Sequence, residues 1–134
     1  MGEFKIGRSV ADSFIKRKVV TANVSTSGTT TDFASFFPAG CVPLSITVEV
    51  TTAIGNDGYI SKVGTDGDDD AFADSIGDGV LEEQNDTITI MGQAASPDTA
   101  SWFAAADKLR LTHANQPDAG AVKLTMIYID GASL

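Results

Sequence analysis

Hydrophobic and polar residues alternate with a period of two along much of the chain. The clearest run is Leu44, Ile46, Val48 and Val50, interleaved with Ser45, Thr47, Glu49 and Thr51. A strand there sets four aliphatic side chains on one face and polar groups on the other. Val122, Leu124, Met126 and Tyr128 alternate in the same way with Lys123 and Thr125, but Ile127 and Ile129 make the far end apolar on both faces, which predicts a central strand. Shorter alternations fall at Val20, Ala22 and Val24, at Ile88 and Ile90, at Leu109 and Leu111, and over Tyr59 to Val63.

Turn-forming residues separate these runs: Thr26-Ser27-Gly28, Pro38-Ala39-Gly40, Gly55-Asn56-Asp57-Gly58, Asp66-Gly67, Gly77-Asp78-Gly79 and Pro117-Asp118-Ala119-Gly120. Roughly six to eight short strands with such turns predict an all-β fold, an antiparallel β-sandwich or jelly roll. One short helix is expected from Ser96 to Ala106, with Ser96 as N-cap, Pro97 in the first helical position and Asp98 favoured by the helix dipole. The alternation starts at Val19, so residues 1–18 read as an extended N-terminal arm and residues 19–134 as the domain.

A length of 134 residues suits one domain, and 43% hydrophobic residues are enough to build its core. The formal charge of -9 would repel phosphate, which excludes a general nucleic-acid binder. Its sign is not uniform. Residues 1–18 carry a net +3, whereas ten of the remaining acids crowd between Asp57 and Asp86. A basic arm ahead of an acidic body is the layout of a tail that docks on an acidic surface. In that arm Phe14 and Ile15 precede Lys16, Arg17 and Lys18, while Lys5 and Arg8 lie nearer the start. Apolar groups among cations can bury against a partner whose carboxylates pair with the bases, so these seven residues are the expected docking set.

The residues give no sign of catalysis. A single Cys and a single His leave no Cys/His zinc site and no internal disulfide. His113 stands without a Gly-x-Ser-x-Gly elbow, and Cys41 between Gly40 and Val42 reads as a small buried residue. Asp66, Asp68, Asp69 and Asp70 invite a calcium reading, but the sixth position counted from Asp66 is Ala71 and the twelfth is Gly77, where an EF-hand loop has Gly and Glu. An acidic solvated turn is the favoured reading, with no cofactor or metal expected. Gly77-Asp78-Gly79 lacks the third glycine of a dinucleotide fingerprint. Trp102 and Phe103 are expected to plug one end of the sandwich, with a sugar platform as the alternative. No apolar run reaches the length of a membrane span or of a secretory signal, so neither membrane insertion nor Sec export is expected.

The stretch Phe36-Phe37-Pro38-Ala39-Gly40-Cys41-Val42-Pro43-Leu44-Ser45-Ile46-Thr47-Val48-Glu49-Val50-Thr51-Thr52-Ala53-Ile54 resembles a small β domain of tailed-phage virion proteins, in which a Phe-Pro-Ala-Gly turn leads into an alternating strand. The resemblance continues through Tyr59 to Gly64 and the acidic turn to Phe72, and closes in Leu109 to Thr112 and Gly120 to Tyr128. It implies a virion protein without enzymatic activity. The first expectation is a capsid cement or decoration protein, a homotrimer on the major capsid protein at the head surface, made in the bacterial host cytoplasm. The alternative is a head-fibre or tail-fibre module that binds host surface polysaccharide through the loops between residues 53 and 86 or around Trp102.

Overall fold

In the computed structural model, residues 15–91 and 103–131 are described here. They form seven strands: β1 (Ile15–Asn23), β2 (Thr30–Phe37), β3 (Cys41–Thr52), β4 (Tyr59–Gly64), β5 (Thr87–Met91), β6 (Asp107–Ala114) and β7 (Ala121–Asp130). Four of them pair in the order β1-β7-β3-β5 and three in the order β2-β6-β4, with every pairing antiparallel. Two antiparallel sheets and no α-helix among the described residues make the domain a β-sandwich, as the alternation predicts. β7 runs between β1 and β3, the central place expected for it.

The alternating side chains of both sheets meet in one core. Ile46, Val48 and Val50 of β3 and Val122, Leu124 and Met126 of β7 face Leu109 and Leu111 of β6 and Ile60 and Val63 of β4. At about 1.5 to 3 kcal/mol for each fully buried aliphatic side chain, this contact is the main source of stability. Aromatic rings close one end. Phe37 stacks on Phe103 at 4.3 Å between ring centroids and on Phe72 at 5.3 Å, and Phe36 meets Phe37 edge-on. Phe103 thus plugs that end as expected, while Trp102 lies outside the described residues.

Three local features depart from the sequence reading. Leu44 is only half-buried, because a bulge between Pro43 and Ser45 puts an extra residue in β3 opposite β7. The inward face therefore switches from Cys41 and Pro43 to Ile46, Val48 and Val50, and Leu44 is left out of it. β2 has no counterpart in the alternation, since Thr31 and Phe33 point inward, Ser35 interrupts at a φ of 54°, and Phe36 and Phe37 are then buried in succession. Most of the helix expected over residues 96–106 falls outside the described residues. Its described part, Phe103 to Ala106, is irregular. There the Phe103 N–H donates to the Cys41 carbonyl at 3.0 Å and the Phe103 carbonyl accepts from Gly40.

The acidic stretch after β4 is held by its few apolar members. Ala71, Phe72 and Leu81 are buried, and residue 63 bridges to Ala73. Gly64 is required at the start of this loop, because a Cβ there would run into the backbone of Asp68 and Asp69.

Candidate docking surface

β1 begins at Ile15, four residues before the alternation suggests, so four of the seven expected docking residues lie in a sheet strand. Lys5, Arg8 and Phe14 lie outside the described residues. Within β1 the odd-numbered side chains are exposed and the even-numbered ones half-buried. Lys16 and Lys18 therefore share a face with Val20 and Ala22 and point toward the sandwich interior at its open edge. The Lys16 ammonium donates to Asp130 at 2.8 Å, and this partner raises its pKa. Lys18 donates to the carbonyls of Ser35 and Phe36 at 2.8 and 2.9 Å and lies 5.3 Å from the centre of the Phe36 ring, while burial lowers its pKa. Both lysines are engaged within the domain. Inward charges on an edge strand also discourage edge-to-edge pairing with other chains.

Ile15 and Arg17 face outward. Their neighbours on the outer face of the four-stranded sheet follow from the register: Ile15 stands opposite Ile129, Arg17 opposite Ile127, and Val19 opposite Thr125. Across β3, Ser45 stands opposite both Ile127 and Met91, Thr47 opposite Thr125 and Thr89, and Glu49 opposite Lys123. A hydrogen bond of 3.1 Å between the Thr47 and Thr89 hydroxyls runs along this surface. Met91 is 74% exposed, Ile15 50% and Val19 43%; these are three of the four large apolar side chains exposed among the described residues. Ile127 and Ile129 are half-buried. Sequence reasoning took these two isoleucines as marks of a central strand, which they are, but missed Val19, Met91 and Lys123 as parts of the same surface. The available signal was the continuation of the β1 alternation upstream through Ile15, Arg17 and Val19.

The outer face of the other sheet is of a different kind. Asp32 of β2 accepts two hydrogen bonds from the Arg110 guanidinium of β6, at 2.8 and 2.9 Å, and Lys108 approaches it to 3.6 Å. The Arg110 partner holds the Asp32 carboxyl below its ordinary pKa. Lys62 pairs with Asp69 at 3.4 Å. Every cation there has a carboxylate.

The candidate reactive groups are sequestered. Cys41 is fully buried and its thiol is pushed up to about 11, first by desolvation and then by the nearby Asp130 charge. His113 is 3% exposed, its Nε2 lies 2.7 Å from the Thr31 hydroxyl, and burial lowers its pKa to about 4. Asp68, Asp69 and Asp70 bring carboxylate oxygens within 4.8 Å of one another, and their mutual proximity raises the pKa of Asp70, chiefly through a hydrogen bond with Asp68. Asp66, the first residue of the calcium reading, instead lies 3.9 Å from Lys108. No helix among the described residues is long and apolar enough to cross a membrane.

No protein-family model and no curated protein matches the chain. Among solved structures, the fold is similar to a chain of the Cyanophage Pam1 capsid asymmetric unit, with a TM-score of 0.54 at 18% identity. The match covers 87% of this chain and 86% of the other, so the two chains are close in length and alike over nearly all of it. At that identity the likeness is one of fold.

Proposed function

We propose that the protein is a structural component of a tailed-phage virion, a cement or decoration protein bound to the outside of the assembled head. The observation that carries this reading is the fold likeness, over 87% of this chain, to a chain of a phage capsid asymmetric unit. Two further features support it. The residue types most used as nucleophile and base are buried, Cys41 as a thiol and His113 against Thr31, which favours a non-enzymatic role. Capsid stabilisation asks for contact area repeated over many copies, and a compact sandwich with an outward apolar face supplies it. The partner in this reading is the major capsid protein, the assembled form is a homotrimer, and Ile15 and Arg17 with Lys5, Arg8 and Phe14 make the contact while Lys16 and Lys18 fix the root of the arm.

The test is co-sedimentation of the purified protein with heads that lack it, at low and high salt, together with its mass in solution by light scattering. Saturable binding that weakens with salt is expected. No binding to heads, with binding to host cells or their polysaccharide, would replace this reading with that of a fibre module.

A further inference from the structure

The outer face of the β1-β7-β3-β5 sheet combines three properties found nowhere else among the described residues. It gathers Ile15, Val19, Met91, Ile127 and Ile129 on one outward surface. It carries Arg17 and Lys123, the two described cations that neither form an ion pair nor donate a side-chain hydrogen bond. Its only acid in register is Glu49, so the face is net positive on a chain of formal charge -9. Unpaired cations around exposed apolar groups are complementary to an apolar surface ringed by carboxylates.

We propose that this face docks on the phage head, against a protein surface with apolar side chains bordered by Asp and Glu, with Met91, Val19 and Arg17 as its contacts. The proposal rests on the capsid reading above and names the surface that reading needs. Charge sets aside a second copy of the chain as the occupant: with Arg17 and Lys123 against the single acid Glu49, stacking two such faces brings like charge to like.

The experiment compares full-length protein with Met91→Glu, Val19→Glu and Arg17→Glu, and with Thr30→Glu on the opposite sheet as control, each checked for folding by its thermal melt. Binding to heads lacking the protein is measured at two salt concentrations, and the mass of the free protein by light scattering. The three face variants should each bind at least about tenfold more weakly, Arg17→Glu most clearly at low salt, with Thr30→Glu unchanged. Wild-type protein that binds while the folded face variants bind equally well overturns this proposal and leaves the capsid reading standing. Face variants that change the mass of the free protein make a second copy the occupant and overturn the proposal too. Wild-type protein that does not bind heads overturns the capsid reading, and this proposal with it.

Discussion

Acidification should destabilise the domain through His113. The ring is 3% exposed, its Nε2 meets the Thr31 hydroxyl at 2.7 Å, and that hydroxyl already accepts the Ser25 N–H at 2.8 Å. Nδ1 has no partner. Protonation would create a charge in the core and leave one N–H without an acceptor, which is why the folded state holds the pKa near 4 against 6.5 for an exposed histidine. Between those values the unfolded chain binds a proton that the folded one refuses. The stabilisation is therefore complete above pH 6.5, shrinks as pH falls, and is gone below about pH 4. A gap of that size corresponds to up to about 3 kcal/mol at 1.36 kcal/mol per pKa unit, or roughly 10 °C in Tm for a domain of this length. Urea unfolding of wild type and His113→Gln at intervals from pH 7.5 to 4 isolates the effect, because glutamine can still bond Thr31 but does not titrate, and the carboxylates contribute equally to both proteins. The stability difference should move steadily in favour of the variant as pH falls. A difference that stays flat with pH, or an NMR titration of His113 centred near 6.5, would refute the reasoning.

Lys18→Ala removes the donor to the Ser35 and Phe36 carbonyls and the cation over the Phe36 ring, and should lower the urea-unfolding free energy by about 1 to 3 kcal/mol. Gly64→Ala forces the start of the acidic loop away from Asp68 and Asp69, for a loss of about 2 kcal/mol or more, with hydrogen exchange accelerated first around Phe72 and Ala73. Native protein at pH 8 should leave Cys41 unmodified by a disulfide reagent, since burial pushes the thiol up to about 11, and reaction should follow at the rate of unfolding.

The parts of the fold legible in the sequence are those where period two survives. Val122 to Tyr128 alternate without interruption and are buried as the alternation requires. Leu109 and Leu111 continue to His113 on the same face, so the burial of the histidine could have been read from its spacing. β2 and Leu44 were not legible, because a backbone irregularity breaks the period in each: a left-handed residue at Ser35 and a bulge before Ser45. Charge composition singled out residues 1–18, but composition carries no direction, and among residues 15–18 only the strand separates Ile15 and Arg17, which face solvent, from Lys16 and Lys18, which serve the sheet edge. The outer face as a whole is made by strands distant in sequence. Met91 and Arg17 both flank Ile127 and Ser45 only because β7 and β3 lie between them.

The place of β7 governs how the domain comes into being. It is the last of the seven strands to be synthesised, yet it separates the first from the third. Until residues 121–130 exist, β1 has no partner strand and β3 has only β5. The four-stranded sheet therefore cannot form progressively from its beginning on the ribosome, and its closure must wait for contacts spanning more than a hundred residues, as between Lys16 and Asp130. Such long-range closure makes folding slow. During that interval the edge of β3 that β7 later pairs with has its N–H and C=O groups unpaired, a template open to the wrong strand until the last one arrives.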